Sequence, residues 1–343
     1  MIGIDLGQNS IKIAKVAAGT GKKLKLLNFN MAYLPEGAII EDEIQKEEEV
    51  VSILKNLLSV AKSEGESGII GLKGPNTVVK RLTLAGGTPQ EIDDQVTWEA
   101  EQYIPFDIET ATVGYHNMGQ NEGGGVDIIF AAAKNDIINR FKDLIEKSGI
   151  RVKIVDMDVA AAINVFELAG GQKLDNPNES FLVLEIGAQK TNFIIYKNKK
   201  VFFTKEINLG GIAITEEIQR KMGVKYEEAE DLKKSGDENG NLPEEILKII
   251  EGVLNTFFQE IQKTYDFYVS STSDQSLAAC FVTGGGSQIP GIIEGLETIL
   301  GVAVTNLDIL SILEMDQKAS KDWNLKEINH AGVVAIGLAM RAL

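Results

Sequence analysis

The chain has 343 residues, too many for one simple core, and a formal net charge of −16 at pH 7. That charge argues against a broad phosphate-gripping face for nucleic acid and disfavours loose adsorption on anionic lipid, but a few backbone N–H groups and lysines can still hold a phosphate locally. One cysteine, Cys280, and two distant histidines, His116 and His330, leave neither a disulfide framework nor a zinc-ligand spacing.

Asp5 interrupts the first apolar stretch, and no basic segment precedes it, so the N-terminus does not read as a signal peptide. No run approaches the roughly 18 apolar residues of a bilayer span. Direct membrane insertion is therefore not expected, and membrane association would go through a partner.

Residues Ile2 to Val16 read as strand, glycine turn, strand, and Leu24 to Tyr33 as a third strand. The segment Gly19-Thr20-Gly21-Lys22-Lys23 lacks the spacing and the hydroxyl residue of a P-loop and reads as a hairpin tip. Glu47 to Ser63 carries Val50, Leu54, Leu57 and Leu58 at helical spacing, with acids in the first turn where the helix dipole favours them. Strands follow at Ile69 to Leu72 and Thr77 to Leu84.

Thr88-Pro89-Gln90-Glu91 predicts a capped helix start, and Pro105 a stop just past Tyr103. Gly123 to Gly125 reads as a hairpin loop, Asn135 to Ser148 as an amphipathic helix and Arg151 to Val155 as a strand. Asp158 to Leu168 is an Ala-rich helix, and the polar Gly170 to Ser180 stretch is the best domain boundary. Beyond it, strands are expected from Phe181 to Ile207, helices from Gly211 to Tyr268, a loop at Ser235 to Asn241, and a terminal helix from about Asn329. Cys280, in the run Ala278 to Val282, reads as a small buried residue.

Two segments half a chain apart share one pattern: Ile4-Asp5-Leu6-Gly7-Gln8-Asn9-Ser10 and Leu184-Glu185-Ile186-Gly187-Ala188-Gln189-Lys190-Thr191. Each has a strand, an acid, a hydrophobe, a glycine and a hydroxyl residue. The glycine lets backbone N–H groups approach an oxyanion, and a strand-end carboxylate can hold Mg²⁺ through water. Either hairpin alone reads as an ordinary turn; the pair reads as a polyphosphate clamp. A third piece, Thr283-Gly284-Gly285-Gly286-Ser287-Gln288-Ile289-Pro290, is a strand-to-helix turn that can pass flat against a ribose or base. Lys12 either approaches phosphate or is an exposed strand lysine. Glu230 and Lys233 read by themselves as an i,i+3 surface pair, and Asp156 and Asp158 as surface or helix-capping acids. No catalytic base stands out: the catalytic residue is left open, with Asp5 and Glu185 as the candidates.

These three motifs, in this order, resemble the phosphate-1, phosphate-2 and adenosine motifs of the superfamily of actin, chaperone ATPases and sugar kinases. Ala229-Glu230-x-x-Lys233 resembles the adenine- and ribose-contacting segment of bacterial actin-like proteins, and Lys80 to Lys153 the inserted 1C subdomain of FtsA-like proteins. Trp98-Glu99-Ala100-Glu101-Gln102-Tyr103-Ile104-Pro105-Phe106 resembles the characteristic segment of the PilM family of type IV pilus assembly proteins.

The resemblance implies a two-lobed α/β, actin-like (ribonuclease H-like) ATPase fold. It places subdomain 1A at 1–79 plus 326–343, 1C at 80–153, an interlobe connection at 154–179, 2A at 180–212 plus 276–325, and 2B at 213–275. It implies ATP with Mg²⁺ between the lobes. Nucleotide contacts would come from Asp5, Gly7, Gln8, Asn9, Ser10, Lys12, Gly187, Ala188, Gln189, Thr191, Gly210, Gly211, Glu230, Lys233, Gly284, Gly285, Gly286 and Ser287, with Asp5 and Glu185 holding the metal through water. It implies a cytoplasmic scaffold of the pilus inner-membrane alignment complex that binds the N-terminal tail of PilN in a groove for which Tyr103, Ile104 and Phe106 are candidates, beside other inner-membrane components. Twitching motility is one such use. The second loop departs from the family in carrying Glu185 for Asp, which bears on hydrolysis, at most slow, more than on binding. The rival expectations are a small-molecule kinase, which needs a cleft aspartate as base, and a filament or cell-division protein, which adds an amphipathic membrane helix beyond the core.

Overall fold

The computed structural model describes residues 1–41, 43–121, 123–234, 242–315, 320–321 and 323–343; the predicted loop at Ser235 to Asn241 lies outside them. Two sheets dominate, and both repeat one strand order. In the first, Leu24–Tyr33, Ser10–Ala18 and Ile2–Leu6 form an antiparallel meander, and Ser67–Leu72 and Arg151–Met157 extend it in parallel beyond Ile2–Leu6. In the second, Lys200–Ile207, Thr191–Lys197 and Ser180–Ile186 form the meander, and Leu277–Thr283 and Ala303–Asn306 extend it. The order is 3-2-1-4-5 in both, with helix-containing crossovers between the parallel strands.

Strand Ile2–Leu6 is buried along its whole length because helices cover both its faces. Ile2, Ile4 and Leu6 pack into a core with Val50, Leu54 and Leu58 of helix Glu47–Val60. The other face meets helix Val333–Met340, where Ala335, Ile336, Leu338 and Ala339 are fully buried. This helix also lies against helix Asp158–Gly170, so closely that a Cβ on Gly337 would overlap the Ala161 carbonyl oxygen. The core here runs from Ala14, Leu26 and Ala161 to Phe166, Tyr196 and Phe281, joining the two sheets. Phe166 meets both aromatic partners edge-on, with ring centroids 5.3 Å away. Each fully buried large aliphatic side chain of this core contributes about 1.5–3 kcal/mol. Cys280 is buried in the second sheet's core, as expected.

A small antiparallel sheet of Thr77–Leu84, Val126–Lys134 and Ala111–Gln120 stands beside these two. Helix Pro89–Tyr103 covers one face, and Leu82, Ile92, Val96, Ala100, Ile128 and Phe130 form its core. The capping box is present: Thr88 N–H donates to Glu91 Oε2 at 2.7 Å and Glu91 N–H returns to Thr88 Oγ1 at 3.3 Å. The tip at Gly19 to Lys23 is the hairpin turn predicted, closed by Gly19 N–H to Lys23 O.

Two expected boundaries move. Helix Asn135–Lys147, assigned to the inserted unit at 80–153, buries Phe141, Leu144 and Ile145 among Val50 and Leu57 of the first lobe. Arg151–Met157 then pairs with Ser67–Leu72, so the unit standing apart is 77–134. Strand Leu313–Met315, assigned to the second lobe, pairs with Leu24–Leu26 of the first sheet. Helices Ile212–Met222, Tyr226–Lys234 and Glu244–Thr272 share one core with Leu182, Leu184 and Phe193 of the second sheet. Helical and strand periodicity reports an apolar face but not the partner that covers it.

Candidate functional site

The C-terminal ends of strands Ile2–Leu6 and Ser180–Ile186 carry Asp5 and Glu185 to the same cleft, of about 560 Å³, between the two sheets. Each strand turns through a closely similar hairpin: Gly7 N–H donates to Ser10 O at 3.1 Å, and Gly187 N–H to Lys190 O at 2.8 Å. The third wall is the turn after Leu277–Thr283. There Gly284 has φ of +85°, and a Cβ would collide with the Ile186 backbone, so glycine alone fits.

Of the residues singled out from sequence, Asp5, Gly7, Gln8, Asn9, Ser10, Lys12, Glu185, Gly187, Ala188, Gly211, Glu230, Lys233 and Gly284 to Gly286 line this cleft. Four do not: Thr191, Gly210 and Ser287 pack behind its lining, and Gln189 makes an exposed contact. Gln189 accepts from Glu41 N–H at 3.2 Å, away from the cleft floor. Thr191 is fully buried and donates to Leu209 O at 2.8 Å. Gly210 packs under the second hairpin, where a Cβ would lie 2.6 Å from the Ala188 carbonyl oxygen. Ser287 is buried, donates to Gly284 O at 2.8 Å, and lies 3.0 Å from His330 Nδ1.

The groove candidates also separate. Ile104 is buried in the inserted core and Phe106 packs against it, while Tyr103 is exposed at 39 % with Lys80 Nζ 3.4 Å from its ring centroid.

Charges at the floor are paired. Lys12 Nζ lies 3.0 Å from Asp5 Oδ2, and Lys73 Nζ lies 3.7 Å from Asp5 Oδ1 and 2.7 Å from Asp158 Oδ2. Burial opposes ionisation of Asp5, but Lys12 and Lys73 outweigh it and hold its carboxyl below the usual range. Burial pushes the Glu185 carboxyl up, only partly offset by Lys73 and by the 2.9 Å hydrogen bond from Asn192. On the upper wall, Lys233 donates to Gly211 O at 3.2 Å and to Thr215 Oγ1 at 2.7 Å and pairs with Glu230, which Lys234 also reaches at 2.7 Å. Glu230 and Lys233 are thus a half-enclosed network rather than an open surface pair.

Sequence reading missed Lys73, Lys190, Asn192 and Glu206, which also line the cleft. Lys73 closes the buried run Ile69-Ile70-Gly71-Leu72, and a lysine ending a fully buried strand was the available signal. Lys190 sits inside the second hairpin and pairs with Glu206 at 2.8 Å.

The donor set bears on a metal. Among the described residues no group of three or more His, Cys, Asp or Glu side chains could enclose an ion. Asp5 Oδ1 is buried without a hydrogen-bond donor, and the Glu185 carboxylate is short of countercharge. Two such carboxylates fit a cation that keeps its waters and completes its shell with phosphate oxygens, as Mg²⁺ does.

Two sheets of one strand order facing across a cleft, with matching strand-end hairpins, define a two-lobed α/β protein of actin-like fold. The family described as type IV pilus assembly protein PilM matches residues 3–343, and the chain belongs to it. Among solved structures, the PilM-PilN type IV pilus biogenesis complex superposes with a TM-score of 0.86 at 24% identity, covering 99% of this chain and 97% of that one. The ethanolamine utilization protein EutJ from Carboxydothermus hydrogenoformans gives 0.59 at 14% identity, with 99% and 88% coverage. Both likenesses concern the fold. Among the described residues, no helix is long and apolar enough to cross a membrane.

Proposed function

We propose that the chain binds ATP with Mg²⁺ between its lobes. In this reading it serves as a cytoplasmic scaffold of the type IV pilus inner-membrane alignment complex and receives the N-terminal tail of a PilN-like partner. The observation that carries the nucleotide part is the pair of glycine hairpins after Asp5 and Glu185, facing each other across one cleft. Backbone N–H groups at the hairpin tips, those of Gln8 and Asn9 and of Ala188 and Gln189, would cradle phosphate oxygens, and Lys12 would supply positive charge. Glu230 and Lys233 would border the ribose, and Gly284 to Gly286 the base. Asp5 and Glu185 would hold Mg²⁺ through water; the ion would neutralise phosphate charge and orient the polyphosphate. A scaffold needs only that nucleotide favour one lobe arrangement, not rapid turnover.

Family membership and the likeness to a PilM–PilN complex support the pilus part. Calorimetric titration with ATP·Mg²⁺, then with a synthetic N-terminal peptide of a PilN-type protein, tests both. Binding of both is expected. Failure of nucleotide-stripped protein to bind ATP would sink the nucleotide reading, and failure of the peptide alone would sink the partner reading.

A further inference from the structure

The edge strand of the second sheet, Lys200–Ile207, touches both the cleft and the small inserted sheet. Its even-numbered residues form a row. Glu206 Oε2 accepts from Gly74 N–H at 3.2 Å, and Thr204 Oγ1 donates to Val79 O at 3.0 Å. The Phe202 ring stacks 4.4 Å from the Arg81 guanidinium carbon, and Lys200 Nζ lies 3.2 Å from Asp127 Oδ2. A bulge between Val201 and Phe203 interrupts the strict alternation, so the contacts themselves define the row, which runs about 20 Å from cleft to far end.

The cleft end of the row is charged and shared. Glu206 also pairs with Lys190 at 2.8 Å inside the second hairpin. Gly74 directly follows Lys73, whose ammonium lies among the floor carboxylates Asp5 and Asp158. Lys73 and Gly74 are also where the chain leaves strand Ser67–Leu72 and enters the inserted strand Thr77–Leu84. The inserted sheet therefore hangs from residues that face the cleft, at its entry and along its neighbouring edge. A second cavity of about 240 Å³ lies at this joint, bordered by Lys73, Gly74, Val79, Thr204 and Glu206, so these groups have room to rearrange.

We propose that strand Lys200–Ile207, with the Lys73–Gly74 junction, transmits occupancy of the cleft by an anionic polyphosphate to the inserted sheet 77–134. This rests on the nucleotide reading above. Phosphate oxygens arriving at the hairpins compete with Glu206 for Lys190 and with Asp5 and Asp158 for Lys73. Both competitions loosen or re-aim the Glu206–Gly74 contact, and the row carries the change to Val79, Arg81 and Asp127. By linkage, anything that grips the inserted sheet alters nucleotide affinity in return.

Amide hydrogen exchange over 77–134 in the full chain, free and saturated with ATP·Mg²⁺, tests the link. Wild type is expected to show a change of about threefold or more in the exchange of Thr77–Leu84. Lys200→Ala with Thr204→Val, neither of which lines the cleft, is expected to keep the ATP dissociation constant within about twofold and to lose most of that change. Glu206→Gln, measured without nucleotide, is expected to speed exchange of Thr77–Leu84 by itself. Unchanged exchange in saturated wild type would overturn the proposal. So would a Glu206→Gln variant exchanging like wild type, and that arm decides the link even if calorimetry shows that ATP does not bind.

Discussion

The Tyr226 hydroxyl donates to Asn9 Oδ1 at 3.2 Å, so helix Tyr226–Lys234 of the second lobe reaches across the cleft to the first glycine hairpin. The same helix places Lys234 Nζ 4.3 Å from the ring centroid of Tyr33, a strand residue of the first sheet. Both contacts exist only while the lobes are together. Tyr226→Phe removes one of them without changing shape, a loss of about 1 kcal/mol for the closed arrangement. The expected outcome is a roughly fivefold faster release of a fluorescent ATP analogue, read by stopped flow, with the melting temperature little changed.

Glu185 gives a pH-dependent prediction. Its folded-state carboxyl is raised above the ordinary glutamate range by burial, so the ionised form is disfavoured in the native protein relative to the unfolded chain. Native protein binds the proton more tightly, so this group costs stability as pH rises from the ordinary value through the raised one. Glu185→Gln should therefore raise the melting temperature of nucleotide-free protein at pH 7 and give no gain near pH 4. Its affinity for ATP should lose most of its Mg²⁺ dependence. Thermal melts at the two pH values and calorimetry with and without Mg²⁺ check both parts.

Asp127 behaves oppositely. Burial alone would raise its carboxyl, but hydrogen bonds from Arg81, Thr83 and Lys200 outweigh it and hold the value at about 2. A depressed carboxyl contributes stability that is present above the ordinary aspartate value and is lost as pH falls toward 2. Asp127→Asn should destabilise the protein at neutral pH and flatten the fall in stability between about pH 4 and pH 2. Urea midpoints across that range measure it.

Gly337 tests the packing that joins the lobes. Any side chain there must displace helix Val333–Met340 from the Ala161 backbone. Gly337→Val is expected to cost about 3 kcal/mol or more, seen as a lower urea midpoint. Gly285→Ala, where a Cβ meets nothing within 4 Å, should leave the midpoint near wild type.

The amino-acid sequence by itself determined the features set by local backbone chemistry. The acid-x-Gly turns at Asp5 and Glu185, the glycine turn after Thr283, the capped start at Thr88 and the hairpin at Gly19 to Lys23 are short-range patterns, and the structure has each of them. Family character was legible for the same reason, since those motifs keep their order along the chain. Tertiary structure alone decided which side chains face the cleft. Ser287 and Thr191 read like their neighbours in sequence but turn into the walls, because each hydroxyl is satisfied there by a backbone carbonyl. Lys73 and Glu206 carry no motif, and their roles arise because two strands far apart in sequence end at one place. The inserted unit was drawn at 80–153 from the sequence: the apolar face of Asn135–Lys147 is plain there, but burial is non-directional, and only packing chose the first lobe to cover it.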